Sequence, residues 1–343
     1  MTYAPNAESP EKGPTLPYGL LVACLSVSVI ILFVASLAIG YAPFDLLQAM
    51  HDAASGETTL AALVLVELRV PRALLGCLVG FSLGISGAAM QGLMRNPLAE
   101  PGIIGVSGAA AFGAVTVFYF GLAGAFSIAL PIGGIAGAAA ATFLLYGLSG
   151  RGAGTMTLIL AGFAINSFAG ALTSLALNLS PNPHAVTEIV FWLLGSLADR
   201  SLPHVWLILP LMLAGWGLLV GSGPALDGLT LGEETAKSLG FDLRRLRLQL
   251  IAGTALTVGG AVAVTGTIGF VGLVIPHLLR PFVEHRPGRL LLVSGLGGAT
   301  LTLAADIGVR LLPIWPELKL GVVTALIGAP FLCILIYRLR QEP

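Results

Sequence analysis

Charge is what this sequence has least of. Of its 343 residues only 10% are Asp, Glu, Lys or Arg, and 56% are hydrophobic, whereas a soluble domain carries roughly 25% charged residues. Mean hydropathy is +0.93. A soluble globule of this size has too little interior for so many apolar side chains. The net charge is zero and there is no basic block, which excludes a nucleic-acid face. The three cysteines, Cys24, Cys77 and Cys333, are far apart and form no C-x-x-C pair. They predict neither a redox centre nor a zinc site and read as lipid-facing or packed small hydrophobes. His51, His184, His204 and His285 are single residues without ligand spacing, and His277 lies in an apolar segment as a packing residue.

Catalytic signatures are missing too. No G-x-x-x-x-G-K-[ST] occurs, so the chain binds no ATP through a P-loop. No H-E-x-x-H gives a metal-dependent hydrolase a start. The expectation is a chain that is not an enzyme, with no metal and no cofactor of its own. Acids within apolar segments are few, Asp306 with Arg310 one turn on being the main case. Ion-coupled carriers place ionisable groups near the midplane, so the energy source is expected outside this chain.

What the sequence does hold is a series of uncharged runs of about 20 residues, the length that crosses a bilayer as a helix. The start is polar and slightly acidic, and the apolar run after it is too long for a cleaved leader, so a retained first helix is predicted. Residues 20–39 and 73–94 give two spans, and 102–150 two more with a turn near Gly121 to Gly124. Residues 152–187 give one long helix ending at Ser180-Pro181-Asn182-Pro183. The piece 189–198 is too short to span and reads as re-entrant or interfacial. Residues 203–221 span; 227–247 are the most polar internal stretch and belong in water. Residues 248–279 are broken by Gly266, Gly269, Gly272 and Pro276 into a full span and a short irregular one; 290–305 and 318–337 complete about ten spans.

With the N-terminus inside, the cytoplasmic side receives Lys12, Arg95, Arg151, Lys237, Arg244, Arg245, Arg247, Arg280, Arg286, Arg289, Arg338 and Arg340. The outside keeps only Arg69, Arg72, Arg200, Arg310 and Lys319. Twelve against five supports cytoplasmic N- and C-termini. The halves also share a layout: Arg69-Val70-Pro71-Arg72 or Arg244-Arg245-Leu246-Arg247, then a Gly/Ala-rich helix, then a Pro/Gly-rich break. Inverted repeats of this kind are common in transporters. The expected organisation is a cytoplasmic tail at 1–19 and one all-α transmembrane domain at 20–340. Its two inverted five-helix repeats fall at about 20–199 and 203–340.

Several long segments together resemble the signature of the FecCD family. They are RVPR at 69–72, QGLMRNPLAEPGIIGVSG at 91–108, LGEETAKSLG at 231–240, GTIGFVGLVIPH at 266–277 and GVVTALIGAP at 321–330. That family comprises permease subunits of ABC importers for iron–siderophore complexes, haem and vitamin B12, which sit in the bacterial inner membrane. The resemblance implies ten helices, a homodimer with the path on its axis and two ATPase subunits carrying ATP and Mg. A periplasmic or lipid-anchored binding protein would dock outside, and a paralogue could replace the second copy.

By the same resemblance, Leu231, Gly232, Glu233, Glu234, Thr235, Ala236, Lys237, Ser238, Leu239 and Gly240 form the segment that couples to the ATPase. Glu233 and Glu234 early and Lys237 late suit a short helix with its dipole. Arg69, Arg72 and Arg310 are expected to grip carboxylates of the binding protein with their planar forks; the plainer reading is interfacial snorkelling. Asn166, Gly170 and Ser174 are candidates to line the path, though helix–helix hydrogen bonding explains such polar residues nearly as well. Pro97, Pro101, Gly269, Gly272 and Pro276 are candidate hinges or simply buried turns. The cargo expected first is a ferric siderophore, then haem or cobalamin. An ion-coupled carrier is the distant alternative.

Overall fold

The computed structural model describes residues 17–40, 45–122, 128–149, 154–312, 314 and 316–339. Residues 1–16 of the expected tail, Lys12, Arg151 and Arg340, and Ala123 and Gly124 of the expected turn lie outside them. Among the described residues every regular element is helical. Eight helices of the described residues are long and apolar enough to cross a bilayer, and two shorter apolar ones, Val106–Tyr119 and Val271–Val283, accompany them.

The first span is α1, Tyr18–Ala38. A short amphipathic helix α2, Leu46–Ser55, follows, capped by the Asp45 carboxylate and closed by Gly56 at φ 78°. The second span begins earlier than the sequence predicts. Instead of starting at Ala73 it runs from α3, Leu60–Leu63, through a π-helical turn at Val64–Arg69 into α4, Val70–Met94. The wide turn explains how Pro71 sits inside a continuous helix. A proline removes one backbone donor and crowds the preceding turn, and an i→i+5 turn just ahead of it relieves that crowding. The Arg69–Arg72 motif is therefore helical rather than a lead-in loop.

A 3-10 turn at Pro101–Ile104 enters the short helix α5, Val106–Tyr119, and α6 covers Ala129–Ser149. Helix α7, Thr155–Leu179, stops where the Ser180-Pro181 step predicts. The short piece after it is helix α8, Pro183–Leu193, about half a dozen residues earlier than expected and capped by Asn182. Helix α9, Leu202–Gly221, precedes two small helices, α10 at Gly223–Leu229 and α11 at Glu233–Ser238. Helix α12, Leu243–Thr265, ends at Gly266, and α13, Val271–Leu279, is the predicted irregular segment. Helices α14, Pro287–Leu311, and α15, Leu320–Leu339, close the chain.

Helices α4, α12 and α14 are mostly enclosed, whereas α1, α6, α7, α9 and α15 turn most of their surface outward. Composition explains the division. Lipid solvates large apolar side chains as well as a protein core does, so close backbone approach of small residues holds membrane helices together. Phe143, Leu160, Phe163 and Phe168 accordingly point outward. Between α4 and α14 the fit is tightest: a Cβ on Gly80 would overlap the Gly298 carbonyl, and one on Gly84 the Ser294 carbonyl. Helix α4 packs on α13 and α14 of the second half, and α12 packs on α5 and α6 of the first. The halves therefore interlock rather than lie side by side.

Candidate functional site

The polar stretch at 227–247 is built as a rigid bracket. Helix α11 is flanked by Gly232 at φ 103° and Gly240 at φ 88°, backbone angles that a Cβ would strain. Ala236 is fully buried, while Leu231 and Leu239 stand exposed on either side. Two contacts fasten the bracket to the bundle. Arg247 of α12 pairs with Glu233 at 2.9 Å, and the Asp227 carboxylate accepts from the Gly288 N–H at the start of α14 at 2.7 Å. Phe241 packs against Gly228, where a Cβ would lie 2.7 Å from the ring. On the open face Lys237 donates to Glu234 at 2.7 Å. That hydrogen bond holds the Glu234 carboxyl below its usual range and the Lys237 ammonium above its own.

At the other end of the bundle the structure brings Arg69, Arg72 and Arg310 near one another and engages all three inside the chain. Helix α1 ends at Ala38 with its last carbonyls open. Arg69 donates to the Leu37 and Ala38 carbonyls at 2.8 and 2.7 Å. Arg310 donates to the Ser36 and Ile39 carbonyls at 2.8 and 2.6 Å, and to the Ser36 hydroxyl at 2.6 Å. Two cations thus cap the negative end of one helix dipole. Arg69 and Arg310 are only 5% and 6% exposed, so they are enclosed rather than presented outward. Arg72 grips Asp306 at 2.8 Å and also binds Glu317, and Asp306 takes a second pair from Arg310 at 3.0 Å. Glu317 carries no signal in the sequence, because it lies in a loop far from Arg72.

Gly288 and Arg310 stand at opposite ends of α14. The helix has 25 residues, about 37 Å of rise, and joins the bracket to the arginine cluster as one rod locked to α4 by glycines.

The two Pro/Gly-rich breaks meet in the middle of the bundle. Gly272 lies against Pro101 and the Leu83 carbonyl, and Gly87 leaves room for the Gly272 backbone. Glu100 accepts from the Phe270 N–H at 3.0 Å, at the left-handed residue that opens α13. Gln91 donates to the Leu273 carbonyl at 3.2 Å. A small cavity of about 130 Å3 lies between the breaks, lined by Glu100, Pro101, Thr267, Gly269 and Gly272 among others. Glu100 was not foreseen: a carboxylate before a proline in a loop reads as solvated. Pro276 sits inside the continuous helix α13, and Pro97 sits in the loop beyond α4.

Asn166, Gly170 and Ser174 share an exposed face of α7. A Cβ on Gly170 would meet open space, and Ser174 donates to the Gly170 carbonyl at 3.0 Å. His277 packs edge-on against Phe331, centroids 5.6 Å apart. Among the described residues no group of His, Cys, Asp and Glu is arranged to hold a metal ion.

Known proteins resemble this chain in sequence and in fold. The model of the FecCD transport family matches residues 28–338. A Bacillus subtilis protein, YvrB, described as an uncharacterized ABC transporter permease, is 40% identical over 80% of this chain and 79% of its own. The vitamin B12 import permease BtuC of Vibrio cholerae is 38% identical, covering 83% of this chain and 86% of its own. The hemin transport permease HmuU of Yersinia pestis is 35% identical, covering 81% and 84%. A solved metal-chelate type ABC transporter in an inward-facing conformation superposes with a TM-score of 0.82 at 32% identity. It covers 94% of this chain and 100% of that one.

Proposed function

We propose, for a chain that belongs to the FecCD transport family and is an ABC importer permease, that its cargo is a bulky metal chelate, with a ferric siderophore in first place. Similarity to cobalamin and hemin permeases supports haem or cobalamin as the second reading. In this reading the chain works as a homodimer in the bacterial inner membrane, with ten membrane helices and both termini cytoplasmic. Two ATPase subunits sit below and a periplasmic or lipid-anchored binding protein docks above. ATP hydrolysis belongs to the ATPases; this chain moves.

The observation that carries the mechanism is the bracket. Closure of an ATPase pair would press on residues 231–240, where Leu231 and Leu239 offer apolar contact. The Glu233–Arg247 pair passes the displacement to α12, and the Asp227–Gly288 bond passes it to α14. Because α14 is locked to α4 and ends in the Asp306–Arg310 cluster, the displacement reaches the docking end without a flexible step. Arg72 is the docking residue in this account, being the least enclosed of the three. Arg69 and Arg310 support it by fixing α1. The exposed face of Asn166, Gly170 and Ser174 lines the path between two copies, and Pro97, Pro101, Gly269, Gly272 and Pro276 mark the joints.

The test is uptake by proteoliposomes holding this chain with its ATPase and binding protein. Labelled ferric siderophore, hemin and cobalamin are offered in parallel. ATP-dependent uptake of the siderophore above the other two supports the first reading. Preference for hemin or cobalamin replaces it with the second.

A further inference from the structure

A polar cavity of about 220 Å3 opens at the end of the bundle that carries the bracket. Its polar lining is Gln91 and Arg95 from the end of α4, Arg280 and His285 from beyond α13, and Thr230, which precedes α11. No carboxylate lines it. Among the described residues no Asp or Glu lies within ion-pair distance of Arg95 or Arg280. Glu284 is close in sequence but pairs with Arg286 at 3.4 Å and Arg289 at 3.6 Å. The Thr230 hydroxyl is spent on the Asp227 carbonyl at 2.7 Å.

Among the described residues the hydrogen-bond partner of Arg280 is neutral. Its Nη2 donates to the Gln91 Oε1 at 2.6 Å. Gln91 is 1% exposed and donates its own Nε2 to the Leu273 carbonyl, which fixes its oxygen toward Arg280. The backbone is bent to form the cavity: Arg95, Glu284 and His285 have φ of 48°, 55° and 60°. Non-glycine residues in that region cost free energy and cluster at functional positions. Arg280 is half-buried beside the cavity without a counter-charge, which is unfavourable unless something anionic joins it, and Arg95 stands exposed at the same cavity.

We propose that this cavity binds a phosphate group through Arg95 and Arg280, with His285 at its rim. Among the described residues the Arg95 guanidinium meets no acceptor and that of Arg280 meets one, leaving more N–H donors than the two oxygens of a carboxylate can use. A phosphate offers further oxygens in the geometry that guanidinium forks match. The group comes either from the headgroup of an anionic phospholipid or from free inorganic phosphate. Basic pockets between membrane helices on the cytoplasmic side suit such headgroups, and the proposed orientation puts the cavity in that leaflet. The inference does not depend on the cargo.

The experiment uses the full chain alone, delipidated in neutral detergent, so that a failed importer assay has no bearing on it. One arm adds cardiolipin or phosphatidylglycerol, with phosphatidylcholine as control, and counts retained lipid by native mass spectrometry. The other titrates inorganic phosphate calorimetrically. The expected result is saturable binding in one arm, weakened about tenfold or more by Arg95→Gln and by Arg280→Gln. Arg280→Lys should lose less, and the exposed Arg244→Gln nothing. Binding in the lipid arm alone assigns the headgroup, and binding of phosphate alone assigns the free ion. The proposal is overturned if neither binds. It is equally overturned if Arg95→Gln and Arg280→Gln both leave affinity unchanged.

Discussion

Replacing Asp306 with Asn should destabilise this protein more than any other isosteric change in the arginine cluster. Asp306 is 1% exposed and lies between Arg72 at 2.8 Å and Arg310 at 3.0 Å. Asparagine keeps the volume and removes the charge. Two guanidiniums, those of Arg72 and Arg310, would then be left with a single nearby carboxylate, Glu317. Removing one partner of a buried ion pair costs about 3–5 kcal/mol. Solvent screening gives little discount, because the side chains of Arg72 and Arg310 are only 13% and 3% exposed. Glu317→Gln removes a carboxylate from Arg72 alone at a position 17% exposed, so about 1–3 kcal/mol is expected there. Asp306→Asn combined with Arg310→Gln should be non-additive by roughly 0.5–3 kcal/mol, since the two residues share one network. Equilibrium unfolding in mixed detergent and SDS micelles, followed by tryptophan fluorescence, gives the values. Asp306→Asn within about 1 kcal/mol of the parent, or milder than Glu317→Gln, would refute the reading of this cluster as the clamp on α1 and α14.

Other outcomes follow from the same contacts. Gly84→Leu drives a side chain into the Ser294 carbonyl and should abolish folding of the α4–α14 pair, read as loss of a monodisperse peak in size exclusion. Replacing Glu233–Lys237 with a Gly/Ser loop should leave the chain folded but abolish ATP-driven uptake; normal uptake removes these residues from coupling. Glu317→Gln frees donors of Arg72 and should tighten binding-protein docking, whereas unchanged affinity by surface plasmon resonance takes Arg72 out of the docking surface. The Glu234 carboxyl is depressed by Lys237. Whatever that pair contributes to α11 is therefore present above the ordinary value of 4.5 and lost only as pH falls through the lower folded one. ATPase association should stay flat from about pH 8 to pH 5; a decline within that window contradicts the pairing.

Much of this fold is legible because membrane helices announce their length and their stops. The Ser180-Pro181 step ends α7, Gly266 ends α12, and the glycines between 266 and 272 mark the irregular segment. The start of the second span was misread for a physical reason. Glu67, Arg69 and Pro71 look like a loop, yet a π-helical turn absorbs the proline and the arginine finds partners inside the protein. Those partners are backbone carbonyls some 30 positions away, which no residue pattern encodes. Glu100 and Glu317 went unseen for the same reason, each meeting its partner only when distant helices pack. The bracket was legible as a polar interruption, but its ties to α12 and α14 through Arg247 and Gly288 were not.

The central claim is that this chain is a gate driven from outside, through the bracket at residues 231–240. Uptake of a labelled chelate into proteoliposomes tests it most directly, comparing this chain alone under an imposed ion gradient with the same chain joined by its ATPase, binding protein and ATP. The account predicts uptake only in the complete, ATP-fuelled system, and none in that system when residues 233–237 are replaced. Uptake by the chain alone under an ion gradient would contradict it.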